Sequence, residues 1–526
     1  MRFLRRVLTP LFRRPALGAG SRKNVNGKRR CPLLAQLWIP HQVRDDKERG
    51  NRPKMQQSKN TLFLFIILLW NFYFGLTSYG LLNNNEGLYA QIAWEMLERN
   101  DFVIPFLNGV PYIEKPPMLY WLIAGVYAVI GKSVLAARFI PASFGLITCF
   151  ALYLFSNRIR FNKLGFLSAT ILGSSLGYII FSRMVFFDVL LTAFFTFSVL
   201  CFFLWDLEKN KNWLRLGYLF TALALLTKGF LSVLLIGLIF LIYFTYKYKN
   251  FKWVPKVFDW PGILIFICVS APWHILASIQ LDEFAWFYFI NEHVLRFLDM
   301  RLPRDYYTGP FYYYLIRMPA YFIPWTFIIP WLLKGNKTRK NKGINTFLWI
   351  WFLVVLIFFT LSRAKANYYM VLGMPPAALL IGSYIQHHLK SEMMVKIGAL
   401  LSAFVLLAGS FYVKYVESDL TERKTIEWFK NNSDKSTLYL FKRFELISSA
   451  LFYYDKRLPI INSDSKDLWF GSKTSYGKGW FVDWNDVPTD RSAQFLVHKK
   501  DWNEFQNICP ECQITYKGTK TALYKR

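Results

Sequence analysis

The chain has 526 residues, of which 54% are hydrophobic and 19% aromatic, and it carries a net charge of +31. A water-soluble protein of this length needs more polar surface to cover its domains, so the composition excludes an ordinary soluble enzyme. The basic excess is typical of nucleic-acid-binding proteins. Here, however, Lys and Arg concentrate in alternate loops between apolar segments, as they do when they orient a membrane protein. The charge therefore predicts a membrane partner and no nucleic acid.

Residues 1–60 form a basic lead that we expect to lie in the cytoplasm. The stretch "MRFLRRVLTPLFRRPALGAGSRKNVNGKRR" has no apolar run long enough for a signal peptide. Met55 stands directly before "QQSKNTLFLFIILLW", the approach to a first span. We predict that translation starts at Met55, which makes residues 1–54 a non-native extension or a disordered tail. A basic arm that touches anionic lipid is equally compatible with the sequence.

Apolar runs of roughly 20 residues recur between residues 61 and 416, and each can cross ~30 Å of hydrocarbon. Eleven transmembrane helices are predicted over residues 61–82, 133–156, 163–183, 186–207, 213–228, 230–248, 258–279, 309–333, 343–362, 366–388 and 392–415. The basic loops place the N-terminus inside. The sequence thus predicts an all-α polytopic membrane body over residues 61–416.

The first external loop carries structure of its own. The stretch "EGLYAQIAWEMLERN" has helical apolar periodicity and predicts a helix that lies in the membrane interface. "DFVIPFLNGVPYIEKPP" predicts an extended segment, because proline disfavours helix in the residue before it. "MLYWLIAGVYAVIG" predicts a second interfacial helix that ends at Gly131. The two helices would hold a lipid chain and close a site.

Residues 417–526 are polar and predict a small α/β domain. "ERKTIEWFKNN" and "ELISSALFYYDKR" are typical of helices, whereas "STLYLFKR", "GWFVDW" and "AQFLVHKK" are typical of strands. The odd number of spans places this domain in the periplasm. Cys509 and Cys512 form a single C-x-x-C, which favours a local disulfide over a metal site because no second pair accompanies it.

Charged and tyrosine side chains gather on the predicted outer face. They are Glu86, Glu114, Lys115, Asp188, Lys228, His293, Arg296, Lys365, Tyr368 and Tyr369. A charge at the bilayer centre costs ~2.5–3.5 kcal/mol, so such residues are functional candidates, although Lys228 and Lys365 could instead extend to lipid headgroups. Cations at this depth suit a phosphate, and nearby acids suit the activation of a hydroxyl or amine. The pattern predicts an enzyme that acts on a phospholipid-like donor.

Several strings occur in the order expected of one enzyme family. They are "NEGLYAQIAWEML", "NGVPYIEKPPMLYW", "RMVFFDVLLTAF", "LTKGF", "APWHI", "EHVLRF" and "SRAKANYYMVLGMPPAALL". Over roughly residues 61–390 the chain resembles the GT-C glycosyltransferases of the ArnT (4-amino-4-deoxy-L-arabinose transferase)/protein O-mannosyltransferase superfamily. The resemblance implies transfer of a sugar from a polyprenyl-phosphate carrier to lipid A, another glycolipid or a protein, at the periplasmic face of the bacterial inner membrane. No cofactor is required by this chemistry, and a divalent metal near Glu114 and His293 is compatible with it.

The resemblance also implies roles for single residues. Lys115, Arg296 and Tyr369 match positions associated with the lipid phosphate, and the chemistry of a leaving phosphate adds Lys365. The other matching or neighbouring positions, predicted to bind substrate, are Glu114, Lys228, His293, Tyr368 and Asn85.

The sequence departs from the family pattern at two positions. Asn85 stands where the family usually has an acid, and Leu88 stands where it often has an arginine. Asn85 cannot act as a general base, so we expect Glu86 or Asp188 to accept the proton of the attacking group.

Two other protein classes fit part of the pattern. A secondary transporter or flippase would use the same charges along a substrate path, but it predicts polar residues at mid-membrane and in both leaflets. A structural protein with a working external domain would leave the polar motifs of the membrane body unexplained.

Overall fold

The computed structural model describes residues 54–304, 309–330, 342–386, 391–433, 436–487 and 493–526. The predicted N-terminal extension covers residues 1–54, of which residues 1–53 lie outside the described ranges.

Helices make up the membrane body. Their bounds are Lys54–Tyr73 (α1), Asn85–Arg99 (α2), Met118–Ile130 (α3), Val134–Arg158 (α4), Asn162–Ser174 (α5), Leu176–Ser182 (α6), Phe187–Glu208 (α7), Lys211–Lys228 (α8), Leu231–Tyr248 (α9), Val254–Val257 (α10), Trp260–Gln280 (α11), Tyr313–Tyr321 (α12), Lys342–Leu361 (α13), Met374–Ile385 (α14) and Ser391–Tyr415 (α15). A π-helical segment covers Trp286–Leu295, and 3₁₀ turns cover Trp325–Ile328 and Asn367–Gly373.

The number of helices that could cross a membrane is seven within the described ranges, or eight if the bent pair α5 and α6 is one span. The seven coincide with predicted spans, and the bent pair, which turns by 66°, covers the span predicted at 163–183. Predicted span 309–333 contains α12, which is only nine residues long, and one 3₁₀ turn. The polytopic helical body is confirmed, and the count of eleven spans stays a prediction.

The first loop forms the two predicted helices, α2 and α3, with a small hairpin between them. Strand β1 (Phe106–Leu107) pairs antiparallel with β2 (Val110–Pro111). Helix α3 ends at Gly131 as expected. Ten residues of α2 are buried, so protein covers this helix on most of its sides.

The C-terminal segment (residues 417–526) contains a six-stranded mixed sheet. Its helices are Arg423–Asn432 (α16), Ser449–Tyr454 (α17), Trp469–Ser472 (α18) and Trp502–Ile508 (α19); its strands are Thr437–Phe441 (β3), Ile460–Ile461 (β4), Phe481–Val482 (β5), Ala493–His498 (β6), Gln513–Lys517 (β7) and Thr521–Lys525 (β8). The strand order is β5-β4-β3-β6-β8-β7, with β5, β4, β3 and β6 parallel and β8 antiparallel to both β6 and β7. The expected α/β architecture and the Cys509–Cys512 disulfide are both present.

The C-terminal segment docks on the start of α2 through the asparagines of "NNNEG". Asn83 accepts hydrogen bonds from the backbone N–H and the hydroxyl of Ser449 at 3.1 and 2.7 Å. The backbone N–H of Asn84 donates to the carbonyl of Glu445 at 3.1 Å. A Cβ at Gly87 would lie 2.6 Å from the Cα of Ser449, so only glycine allows α2 and α17 to approach this closely. The string that opens the first loop therefore joins it to the C-terminal segment.

Candidate active site

Five charged side chains meet beside the first loop. We call Glu114, Lys115, Glu292, Arg296 and Arg301 the charged cluster. Arg301 bridges its two acids, donating to Glu114 Oε1 at 2.6 Å and to Glu292. Arg296 donates to Glu292 Oε2 at 3.0 Å, and Lys115 Nζ lies 3.5 Å from Glu114 Oε2 and 3.9 Å from Glu292 Oε2. Among the described residues, the charged cluster therefore holds three cations and two carboxylates, one cation in excess.

Two elements position these side chains. Glu114 and Lys115 lie in the extended segment between β2 and α3, where the following Pro117 caps α3. Glu292 and Arg296 lie on and directly after the π-helical segment. The side chain of Asn291 holds residue 302 through two hydrogen bonds, from Nδ2 to the carbonyl of Leu302 at 2.7 Å and from the N–H of Leu302 to Oδ1 at 2.8 Å. This pairing fixes Arg301 opposite both acids.

The charged cluster shifts the pKa values of its members. Burial raises the pKa of Glu292, but Arg301, Arg296 and Lys115 outweigh burial and lower that pKa to about 2. Burial, together with Arg296, lowers the pKa of Lys115, although Glu114 and Glu292 oppose this effect. A bound phosphate would balance the extra cation of the charged cluster.

Asp188 and Lys228 form a second buried pair. Lys228 Nζ donates to Asp188 Oδ1 at 2.5 Å, across from α8 to the first turn of α7. The same ammonium lies 5.0 Å from the ring centroid of Tyr368 and 4.5 Å from that of Tyr369, within the range of cation–π attraction. Four predicted site residues, from three separate motifs, therefore meet at one place.

The electrostatic field of Lys115 reaches this pair. Both Asp188 and Lys228 interact with Lys115, and Lys228 also interacts with Arg296. The pair and the charged cluster are therefore electrostatically coupled, and their use as one substrate site stays a prediction.

His293 lies at the edge of this site in a structural role. Its Nδ1 is 2.6 Å from the carbonyl of Tyr288, and its Nε2 accepts from the backbone N–H of Phe230 at 3.3 Å. Gly229 between α8 and α9 has φ 84°, and a Cβ there would lie 2.0 Å from His293 Nε2. Burial lowers the pKa of His293, so the ring is neutral at pH 7. Both ring nitrogens are engaged, which disfavours the predicted use of His293 as a metal or substrate ligand.

Glu86 is separated from the charged cluster by its own partners. Arg138 donates to Glu86 Oε1 at 2.7 Å and to Oε2 at 2.6 Å, and the backbone N–H groups of Leu82 and Val185 donate at 2.9 and 3.1 Å. Arg138 in turn donates to the carbonyls of residues 76, 79 and 80. This saturated pair joins α2, α4 and the loop before α7, so the geometry gives no support to Glu86 as a general base. Asn85, half-buried at the first position of α2, makes no hydrogen bond to the charged cluster among the described residues.

Lys365 also has a different position from the one predicted. Its ammonium donates to the carbonyls of Phe359, Thr360 and Ser362 at 2.9, 2.6 and 2.5 Å. These carbonyls end α13, where a cation is favoured by the helix dipole. Lys365 thus caps α13 in this structure, and its predicted phosphate contact stays a prediction.

The sequence prediction missed three charged residues of this region. Glu292 and Arg296 stand four residues apart in "NEHVLRF", and this helical spacing could have identified Glu292. Arg301 and Asp467 come from loops without a motif. Burial, Glu114 and Glu445 raise the pKa of Asp467 well above its usual range, while Arg301 and Lys115 lower it. The C-terminal segment thus brings an acid with a raised pKa into the electrostatic field of the charged cluster.

A metal site is not formed by the described side chains, because no group of three or more His, Cys, Asp or Glu residues among them is placed to hold an ion.

Comparisons with known proteins give the same fold class. The sequence profile of the family described as dolichyl-phosphate-mannose-protein mannosyltransferase matches residues 114–275. An undecaprenyl phosphate-alpha-4-amino-4-deoxy-L-arabinose arabinosyl transferase of Pseudomonas fluorescens Pf-5 is 31% identical over 356 residues, which are 65% of this chain and 59% of that relative. An uncharacterized protein of Aquifex aeolicus is 29% identical over 404 residues, 75% of this chain and 88% of its own length.

A solved structure extends this similarity to the C-terminal segment. The crystal structure of ArnT from Cupriavidus metallidurans bound to undecaprenyl phosphate matches with a TM-score of 0.76 at 18% identity, over 88% of this chain and 97% of that one. The fold is that of a polytopic helical membrane protein and matches the fold of this ArnT structure. The chain is ArnT-like, and the resemblance seen in its motifs is confirmed. It spans 59% of the length of the Pseudomonas arabinosyl transferase.

Proposed function

We propose that this protein is a membrane glycosyltransferase that moves a sugar from a polyprenyl-phosphate carrier to a lipid A, other glycolipid or protein acceptor. The observation that carries the proposal is the excess positive charge of the charged cluster beside the Asp188–Lys228 pair. The substrate named for the Pseudomonas relative and the undecaprenyl phosphate bound in the Cupriavidus structure support the choice of a polyprenyl-phosphate donor. The transferred group is a glycosyl unit, hexosyl or pentosyl.

Lys115 and Arg296 would hold the donor phosphate. Both cations already lie around Glu292, so a phosphate oxygen would join an existing network of charge-assisted hydrogen bonds. Arg301 would keep Glu114 and Glu292 in place and so fix the two phosphate ligands. As the bond from the anomeric carbon to the phosphate oxygen breaks, its electron pair passes to the phosphate, and the cations stabilise the added negative charge.

Asp188 would accept the proton of the attacking hydroxyl or amine. Its carboxylate is buried, and its hydrogen-bond partner among the described side chains is Lys228, which also faces Tyr368 and Tyr369. A donor phosphate would compete for that ammonium and release Asp188 to act as a base. Direct displacement would form the new bond on the opposite side of the anomeric carbon and invert its configuration. No metal enters these steps, and a divalent ion is not required by them.

We place this reaction at the periplasmic face of the bacterial inner membrane. The distribution of Lys and Arg supports a cytoplasmic N-terminus. The domain division into a lead (1–60), a membrane body (61–416) and a periplasmic domain (417–526) is part of the same proposal.

The test is a transfer assay with the purified full chain, a radiolabelled polyprenyl-phosphate sugar and bacterial membrane acceptors. We expect label to move to an acceptor in the wild-type protein, and the rate to fall in Lys115→Ala, Arg296→Ala and Asp188→Asn. If all three variants transfer at the wild-type rate, the site is wrong. If the carrier changes leaflet while no label reaches any acceptor, the protein is a flippase.

A further inference from the structure

Two half-buried arginines from distant parts of the chain meet at the turn of the small hairpin (residues 108–109) in the first loop. Arg99 ends α2, and its Nη2 lies 3.5 Å from the carbonyl oxygen of Gly109. Arg457 comes from the loop before β4, and a Cβ at Gly109 would lie 2.1 Å from the Cζ of this arginine. Both guanidinium groups therefore contact the same glycine. They are close enough to repel each other, since burial and then Arg457 lower the pKa of Arg99.

The hairpin turn is fixed from both sides, so the fold itself brings the two arginines together. Glu95, one helical turn before Arg99, accepts hydrogen bonds from the backbone N–H groups of both turn residues at 2.8 and 2.9 Å. The side chain of Asn108 pairs with the backbone of Leu458 through two hydrogen bonds of 2.8 Å. The first anchor holds the end of α2 against the turn, and the second holds Arg457, the residue before Leu458.

The N–H groups of these two arginines have few acceptors. The Nε of Arg99 is buried and has no hydrogen-bond partner among the described residues, and the contact of its Nη2 with the turn carbonyl is long. Arg457 forms no hydrogen bond or salt bridge with another residue in the described ranges. Buried donors are nearly always paired in proteins, so an unpaired guanidinium N–H at a built contact indicates a ligand.

The acids around the two arginines are engaged elsewhere. Glu95 and Asp101 attract Arg99 from beyond salt-bridge distance. Both oxygens of Glu95 accept from the hairpin turn, and Asp101 Oδ1 accepts from the N–H groups of residues 103 and 104 at 2.9 and 3.1 Å. Asp455 is bonded to Lys132 at 2.5 Å. The arginines thus keep donors for an incoming anion whose oxygens accept hydrogen bonds.

The pair of arginines lies at the membrane boundary. The carbonyl of Val103, four residues after Arg99, accepts from Trp273 Nε1 at 2.8 Å. Trp273 belongs to the half of the membrane-spanning helix α11 that leads to the π-helical segment. The carbonyl of Phe102 accepts from Trp121 Nε1 at 2.7 Å, and Phe102 is 40% exposed. Tryptophan and exposed aromatic side chains in such a position are typical of the level of the lipid headgroups.

A phosphodiester is the anion that this setting favours. Its two non-ester oxygens accept hydrogen bonds from guanidinium N–H groups, and both arginines share its negative charge. The Cζ of Arg99 lies 3.8 Å from the ring centroid of Phe106, and that of Arg457 lies 5.3 Å from the ring centroid of Trp480. One flat face of each guanidinium is therefore covered by an aromatic ring, which leaves the N–H edges for the ligand. At the level of the headgroups, phospholipids supply the phosphodiester.

We infer that Arg99 and Arg457 together bind the phosphate of an anionic phospholipid headgroup. The bound lipid joins α2, the hairpin and the loop before β4, and so fastens the C-terminal segment to the membrane surface. This inference goes beyond the proposed function, because the lipid is not a substrate and the two arginines do not belong to the charged cluster.

The first experiment measures lipid binding by native mass spectrometry of the full chain released from detergent, with phosphatidylglycerol as the probe. Arg99→Gln combined with Arg457→Gln should lower the affinity for the tightest-bound lipid about tenfold or more, because charge-assisted hydrogen bonds from two groups are lost. Arg457→Gln alone leaves no protein group without its partner, so it should fold like the wild type and lower the affinity about threefold or more.

The matched control combines Arg443→Gln and Arg526→Gln. It also removes two positive charges, but these arginines pair with Asp501 and Glu511 of the C-terminal segment. The control should bind phosphatidylglycerol with the wild-type affinity. Equal affinities in the control and in the Arg99/Arg457 double variant overturn the inference.

The second experiment tests which part of the lipid is recognised, by thermal unfolding in detergent. Phosphatidylglycerol should raise the Tm of the wild type and of the control more than that of the double variant, since a ligand of the folded state stabilises it. Dioleoylglycerol, which lacks the phosphate, and inorganic phosphate, which lacks the chains, should not produce this difference. If inorganic phosphate produces it equally, the ligand is a soluble phosphate and the lipid is overturned; if dioleoylglycerol does, phosphate recognition is overturned. Neither experiment involves sugar transfer, so the proposed function stands or fails separately.

Discussion

Two buried arrangements of arginine and carboxylate lie in the same part of this protein, and they have different consequences. The Glu86–Arg138 pair is saturated: both side chains have all their hydrogen-bond partners within the protein. The charged cluster has more cationic charge than its two acids neutralise. A saturated pair stabilises one arrangement of helices, whereas an excess of buried cation is relieved when an anion binds. Similar residue types at similar burial thus stabilise the fold in one place and, in the function proposed above, bind substrate in the other.

Asp188→Asn should have the largest effect on activity, because it removes the proposed proton acceptor beside the charged cluster. Removing the proton acceptor should lower kcat by about 10²–10⁴-fold, measured by product formation under saturating donor. Asp206→Asn is the matched control, because Asp206 is a buried acid at the other end of α7 that is bonded to Lys209, Lys247, Tyr243 and Tyr248. It should lower thermal stability and leave kcat of the folded fraction unchanged. Equal losses of kcat in both variants would contradict a catalytic Asp188.

Arg138→Ala should unfold or strongly destabilise the protein, because it leaves the carboxylate of Glu86 buried without its partner. We expect a loss of about 3–5 kcal/mol, measured by thermal unfolding in detergent. The control is Arg158→Ala, which breaks a bidentate pair with Glu208 at 2.7 and 2.8 Å where both side chains are partly exposed to the surroundings. Its loss should stay below about 1 kcal/mol. A comparable loss of stability in both variants would mean that the Glu86–Arg138 pair stabilises the fold no more than the partly exposed Arg158–Glu208 pair does.

Lys115→Ala and Lys365→Ala should separate phosphate binding from helix capping. Removing a charge-assisted contact to phosphate should raise the donor KM about 10–100-fold for Lys115→Ala. Because Lys365 caps α13, its alanine variant should reduce thermal stability by about 1 kcal/mol and leave the donor KM close to the wild-type value. A donor KM that rises equally in both would restore Lys365 to the phosphate site.

Asp467→Asn should have the smallest effect at low pH, because the carboxyl of Asp467 is already protonated there. A folded-state pKa above the unfolded value means that the folded state binds the proton more tightly. Stability contributed by this group is therefore present at pH below about 4 and falls as pH rises toward the raised pKa. Asp467→Asn should flatten this fall in a pH series of thermal unfolding curves, whereas the exposed control Asp486→Asn should follow the wild type. Parallel curves for Asp467→Asn and wild type would contradict the raised pKa.

Much of the site followed from sequence because its residues stand in short motifs. "EKPP" contributed Glu114 and Lys115, "FFD" contributed Asp188, "TKGF" contributed Lys228, and all of these lie together in the structure. The roles predicted for Glu86 and Lys365 lost support for a common reason. A charged side chain beside an apolar helix looks the same in sequence whether its partner is a substrate or another group of the protein, such as Arg138 for Glu86 or the carbonyl of Ser362 for Lys365. A charged side chain that binds substrate and one that stabilises the fold can both be buried, so burial alone could not distinguish them.

The sequence by itself determined the apolar helices, the α/β character of the C-terminal segment and the GT-C resemblance. These properties depend on local hydrophobic periodicity and on short motifs, which do not need the partner segments to be known. Only the tertiary structure decided that Arg301 bridges Glu114 and Glu292, that Asp467 reaches the charged cluster from the C-terminal segment, and that "NNNEG" binds α17. Each of these depends on a contact or an electrostatic interaction between residues more than a hundred positions apart in the chain, which chain folding brings together and no local pattern encodes.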